Sequence, residues 1–129
     1  MGSFTQEMRK YGVEATFNFP LTDRGTLDFE ATPVAPTTGD TKVIKNEGVA
    51  ANTDNDPGTE TFGVYSLVLT ATEMQAARII VTIVDSATKL WEDHAILITT
   101  YGHASAQHAF DLDTAVQTVA TTGAGIQGT

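Results

Sequence analysis

Phe62-Gly63-Val64-Tyr65-Ser66-Leu67-Val68-Leu69-Thr70-Ala71-Thr72-Glu73-Met74-Gln75-Ala76-Ala77-Arg78-Ile79-Ile80-Val81-Thr82-Ile83-Val84 is the densest apolar stretch of the chain. Its periodicity decides the fold. Phe62, Val64 and Val68 fall on one phase of a period-two pattern, and Tyr65, Leu67 and Leu69 on the other. Ile79, Val81 and Ile83 likewise alternate with Ile80 and Val84. Both runs read as strands, because β-branched and aromatic side chains pack well on a pleated surface. Between them, Thr70 and Glu73 have the spacing of a capping box, in which the hydroxyl accepts from the third amide and the carboxylate reaches back. The expectation there is one short helix of one to two turns over 70–77. Strands that are apolar on both phases must be covered on both faces. The cover is either the short helix and terminal segments, or a neighbouring subunit.

Working outward, Val13, Ala15, Phe17 and Phe19 alternate with Glu14, Thr16 and Asn18, the pattern of a half-buried strand. Pro20 stops it, and Asp23-Arg24-Gly25 turns the chain towards Leu27-Asp28-Phe29, a second short alternation that suggests a hairpin. Residues 32–40 read as a loop. Lys42-Val43-Ile44-Lys45 reads as a strand near an edge, where lysines discourage stray pairing. Residues 48–58 form an aperiodic loop. Asp85-Ser86-Ala87-Thr88-Lys89 is a turn that joins Ile79–Val84 to a strand within Leu90–Thr100, with Ala95–Ile98 as its apolar centre.

Short strands at roughly ten-residue spacing imply an all-β, antiparallel β-sandwich. Twenty-two threonines support that class. The absence of cysteine excludes a disulfide-bonded immunoglobulin domain, disulfides, thiolate metal sites and cysteine nucleophiles. It leaves open a cysteine-free, immunoglobulin-like sandwich. The expected organisation is an N-terminal segment at 1–10, the sandwich over 11–115, and an extended C-terminal arm over 116–129. The arm holds only Val116, Val119 and Ile126 as sizeable apolar groups. Fixing each residue costs roughly 1–2 kcal/mol of backbone entropy, so an ordered arm would have to lie against another chain.

The 129 residues are 41% hydrophobic and carry a formal charge of −9, and the mean hydropathy is −0.07. That balance argues against a nucleic-acid or anionic-membrane binder, since both need clustered positive charge. No run approaches the roughly 18 apolar residues of a spanning helix, and the N-terminus lacks the apolar stretch of a signal peptide. All the basic residues lie at or before Lys89, whereas residues 90–129 carry Glu92, Asp93, Asp111 and Asp113 alone among charged groups.

Candidate chemistry is thin. His94 falls on the polar phase of its strand and reads as solvated. His103 and His108, five apart, share a face of neither helix nor strand, so a histidine metal site is not indicated. Asp54-Asn55-Asp56 gathers hard oxygen ligands in a loop, but Pro57 and a missing downstream Glu break the calcium-loop pattern. Ser3, Ser66, Ser86 and Ser105 lack the G-x-S-x-G context. A Ser105, His108 and Asp111 set is too close along the chain for relay geometry. Gly123-Ala124-Gly125 has neither a preceding strand nor a following Lys-Ser/Thr. The reading is non-enzymatic, with no catalytic residues, no metal site and no cofactor.

Tyr65-Ser66-Leu67-Val68-Leu69-Thr70-Ala71-Thr72-Glu73-Met74, Leu90-Trp91-Glu92-Asp93 and Tyr101-Gly102-His103-Ala104-Ser105-Ala106-Gln107-His108-Ala109-Phe110-Asp111-Leu112-Asp113 together resemble small proteins and N-terminal domains encoded among the structural genes of tailed bacteriophages. The resemblance runs from about Lys10 to Ala115. It implies an immunoglobulin-like β domain located in a virion, at the base of a fibre or on the surface of a head or tail. It brings no catalytic residues. The expected function is that of a virion structural protein that decorates the particle or anchors an appendage. Its expected partners are other virion proteins, in a homo-oligomer or symmetric array. The alternative is a sandwich whose loops bind a host surface glycan, for which Trp91, Tyr11, Tyr65 and Tyr101 are the available Trp and Tyr residues.

Overall fold

A computed structural model describes residues 3–25, 36–59, 64–85 and 89–110. The eight strands are β1 (Ser3–Lys10), β2 (Ala15–Pro20), β3 (Thr41–Lys45), β4 (Ala51–Asn52), β5 (Gly58–Thr59), β6 (Val64–Leu69), β7 (Arg78–Ile83) and β8 (His94–Tyr101). They form a five-stranded sheet in the order β1-β8-β7-β3-β4 and a three-stranded sheet in the order β2-β6-β5. The protein is therefore all-β among the described residues. Every pairing is antiparallel except that of β1 with β8.

One phase of β2, β3, β6, β7 and β8 builds the core. Phe17 and Phe19 from β2, with Tyr65, Leu67 and Leu69 from β6, pack with Val43, Ile79, Val81, Ile83, Ile96 and Ile98 from the larger sheet. The two-sided apolarity of β6 and β7 resolves accordingly. Tyr65, Leu67, Leu69, Ile79, Val81 and Ile83 are buried, whereas Val64, Val68, Ile80 and Val84 on the opposite phase are only half-buried. The expected β7–β8 hairpin forms, with Ile80 opposite Leu97. β3 lies one strand in from the edge made by two-residue β4. In the first alternation Phe17 and Phe19 are core, but Val13 is 49% exposed because the strand begins only at Ala15. β2 pairs with β6, with Phe17 opposite Leu67; the suggested partner at Leu27–Phe29 lies outside the described residues, as do Phe62 and the arm at 116–129.

The expected short helix over 70–77 is a single turn instead. Its capping box does form. The Glu73 amide donates to Thr70 Oγ1 at 3.2 Å, and the Thr70 amide donates to Glu73 Oε1 at 2.8 Å. One backbone bond of helical span follows, from the Met74 amide to the Thr70 carbonyl at 3.0 Å. Propagation stops because the next backbone groups are engaged elsewhere. The Ala77 amide donates to Asn46 Oδ1 at 2.9 Å, and the Ala76 carbonyl accepts from Thr100 Oγ1 at 2.5 Å. Asn46 sits at φ 50°, a left-handed conformation that asparagine tolerates better than most residues. The buried Glu73 also accepts from the Asp54 amide at 2.9 Å, tying the β4–β5 connection to this turn.

Residues 3–10 pair along their whole length with β8, from Ser3 opposite His94 to Lys10 opposite Tyr101. The sequence reading sets 1–10 apart from the sandwich, whereas residues 3–10 form an edge strand of the larger sheet. Its inward phase is Thr5, Glu7 and Arg9. The Arg9 guanidinium lies 4.9 Å from the centre of the Phe17 ring and 2.7 Å from Glu7 Oε1. Inward charges of this kind blunt an edge strand against stray pairing.

Phe17 is 1% exposed on β2, opposite Leu67 of β6. Phe17→Ala is expected to cost about 3–5 kcal/mol, read by chemical denaturation. An unchanged midpoint would contradict the assignment of the inward face.

Candidate functional site

The outward face of the larger sheet is set by register. Gln6, Leu97, Ile80 and Ile44 stand side by side across four strands. A second row holds Phe4, Ala95, Thr82, Lys42 and Asn52, and a third holds Met8, Thr99 and Arg78. Leu97, Ile80 and Ile44 are half-buried by their neighbours, while Phe4 is 66% and Met8 40% exposed. A cavity of about 390 Å³ lies where β1 meets β8, lined by Gln6, Glu7, Met8, Leu97 and Thr99. Lys10, Lys42 and Arg78 are the charged residues on this phase of β1, β3, β7 and β8, and no carboxylate shares it. Glu47, from the turn after β3, reaches Arg78 at 2.8 Å, and Lys42 donates to Asn52. An apolar band flanked by cations is suited to contact with a protein surface rather than to bond-making chemistry.

The residues singled out by sequence do not converge. His94 is buried, not solvated, because the inward phase of β8 begins with it. Its Nε2 lies 2.9 Å from Thr5 Oγ1, and its ring stacks on Phe19 with centroids 5.4 Å apart. Beyond β8 the chain folds back, with amides of Gly102 and His108 donating to the carbonyls of His108 and Thr100, each at 3.0 Å. Gly102 supports this turn at φ 82°, a conformation open to glycine at little cost. His103 is exposed and stacks on Tyr11 at 4.2 Å, whereas His108 stacks on Phe110 at 5.0 Å. The two histidines thus serve different rings. The Ser105 amide donates to His103 Nδ1 at 2.9 Å, and Asp111 lies outside the described residues.

The Asp54-Asn55-Asp56 oxygens also diverge. Asp56 accepts from Thr38 at 3.1 Å, Asn55 donates to the Val68 carbonyl at 3.0 Å, and the Asp54 carboxylate lies 3.4 Å from Thr70 Oγ1. Among the described residues, no group of three His, Asp or Glu side chains is placed to hold a metal ion. Trp91 is 2% exposed and packs near Tyr65, with ring centroids 6.3 Å apart. It is a core side chain and offers no platform for a sugar. Gly123-Ala124-Gly125 and Ser86 lie outside the described residues.

No family model, curated protein or solved structure matches the chain.

Burial holds the His94 pKa below its ordinary value of 6.5, so the folded chain takes up this proton less readily than the unfolded chain. Its contribution to stability is full above the unfolded value and is lost as the pH falls from there towards the lowered folded value. The melting temperature of the wild type is expected to fall between about pH 7 and 5 more steeply than that of His94→Leu. Parallel pH profiles for the two proteins would contradict this.

Proposed function

We propose that the protein is a non-enzymatic structural component of a tailed-bacteriophage virion, decorating the particle or anchoring an appendage through contacts with neighbouring subunits. The observation that carries the reading is the outward face of the larger sheet. There Leu97, Ile80 and Ile44 form a continuous apolar row and Phe4 and Met8 stand exposed beside it. A sheet whose only task is to close its own core has a solvated outer face of polar residues. The resemblance of Tyr65–Met74, Leu90–Asp93 and Tyr101–Asp113 to phage structural proteins supplies the setting.

The strand order supports the finer, immunoglobulin-like reading of the fold. Lettered along the chain as A′, B, C, C′, D, E, F and G, the sheets read A′-G-F-C-C′ and B-E-D. The C-F-G and B-E-D groupings are those of immunoglobulin domains. Glu73 and Thr70 occupy the E–F corner, where antibody domains use a tyrosine.

The test is quantitative mass spectrometry of gradient-purified particles from a phage carrying this coding sequence. The chain is expected at a fixed copy number per particle. Phe4→Glu with Met8→Glu is expected to lower occupancy at an unchanged melting temperature. Recovery of the wild-type chain only from the soluble fraction would overturn the proposal.

A further inference from the structure

β1 is held differently from the strands around it. Among the described residues, β2, β3, β6, β7 and β8 all place side chains in the core, and the eight residues of β1 place none. Phe4 and Met8 stand exposed on its outward side. The cavity of about 390 Å³ lies along its seam with β8, between Gln6, Glu7 and Met8 on one strand and Leu97 and Thr99 on the other. Side-chain packing across that seam is therefore incomplete. The attachment of β1 is chiefly the backbone ladder from Ser3 opposite His94 to Lys10 opposite Tyr101. A strand attached in this way opens at a lower free energy than the whole domain. Its hinge is short. Residues 11–14 carry the chain from β1 in the larger sheet to β2 in the smaller one. The amides of Tyr11 and Gly12 close that turn by donating to the carbonyls of Tyr101 and Met74, each at 3.0 Å. Short hinges favour exchange of the element that they tether.

From this we propose that β1 is an exchangeable strand: Ser3–Lys10 of one copy leaves its own β8 and pairs with β8 of a second copy, in the same parallel register. Opening without exchange is unfavourable, because it bares the backbone edge of His94–Tyr101 beside the buried Ile96 and Ile98. An added strand satisfies such an edge through main-chain hydrogen bonds, and its side chains decide which strand fits. This edge calls for a hydroxyl at His94 and a cation over Phe17, which Thr5 and Arg9 supply. A second copy offers both in the right order. Exchange preserves the ladder and alters only the hinge, and reciprocal exchange closes as a dimer. The chain's own β1 competes at an effective concentration of about millimolar, so exchange belongs to crowded conditions such as an assembled array. It is a property of the strand and holds whether or not the chain is found in particles.

The chain contains no cysteine, so an introduced pair reports without interference. Phe4 and Ala95 are register partners on the outward face. A ¹⁵N-labelled Phe4→Cys chain is mixed with an unlabelled Ala95→Cys chain at about millimolar concentration, held, and then oxidised. Each chain carries half of the pair, so a disulfide joining positions 4 and 95 in register needs exchange. It is expected in several-fold excess over the disulfide formed when Val49→Cys, at an exposed position between β3 and β4, replaces Ala95→Cys. The wild-type chain is expected to form a dimer at the same concentration, seen by size-exclusion chromatography. The double variant Phe4→Cys with Ala95→Cys, oxidised at high dilution so that the bond closes within one chain, is expected to stay monomeric. Circular dichroism melting checks that each variant is folded. A mixed disulfide no more abundant than the Val49→Cys control overturns the proposal. So does a wild-type chain that stays monomeric, or an internally bonded chain that dimerises as the wild type does.

Discussion

Two sheets sharing one apolar layer must each commit a single phase of side chains to it, and the rest of this molecule follows from how the strands meet that requirement. Ile79, Val81 and Ile83 meet Ile96 and Ile98 within the larger sheet, across from Phe17, Phe19, Tyr65, Leu67 and Leu69. A slip of one residue in β7 would exchange Ile79, Val81 and Ile83 for Ile80, Thr82 and Val84, placing a hydroxyl in the core. The buried carboxylate of Glu73 and the side chain of Asn46 then hold the connections by accepting backbone amides. Buried polar groups are tolerated where they are bonded in this way. The consequence for function is that the second phase of the larger sheet is left to face outward, with its apolar row intact.

The edge at β1 shows a different compromise. A parallel strand beside β8 extends the sheet beyond the width of the core, so its inward side chains have little apolar layer to enter. Thr5 meets His94, and Arg9 lies over Phe17 while pairing with Glu7. The polar inner face keeps the edge from inviting stray partners. The outer face of the same strand carries Phe4 and Met8. One strand thus protects an edge and presents exposed apolar side chains.

The core strands were legible from periodicity because β2, β6 and β7 carry their inward residues as clean alternations, and the β7–β8 hairpin followed from adjacent apolar runs. The turn at 70–74 was half legible. The capping-box spacing identifies its first hydrogen bonds, but the withdrawal of Ala76 and Ala77 from a helix depends on Asn46 and Thr100, remote in sequence. β1 was not legible, since the inward phase of Ser-Phe-Thr-Gln-Glu-Met-Arg-Lys is polar and its partner β8 is the last of the described strands, remote in sequence. His94 was misplaced for a related reason. Its polar ring suggests a surface, whereas the registers of β1, β7 and β8 carry it inward. The outward face was foreshadowed by the two-sided apolarity of residues 79–84, but its cations come together only through register.

Neighbouring residues of β8 offer the most direct test that one phase maintains the fold while the other makes the proposed contacts. Ile98 is buried in the core and Leu97, one residue away, is half-buried on the outward face. Ile98→Ala is expected to cost about 2–5 kcal/mol in chemical denaturation. Leu97→Ala is expected to cost well under half as much while lowering the proposed occupancy on the particle. Equal destabilisation by both, with occupancy untouched, would contradict the account.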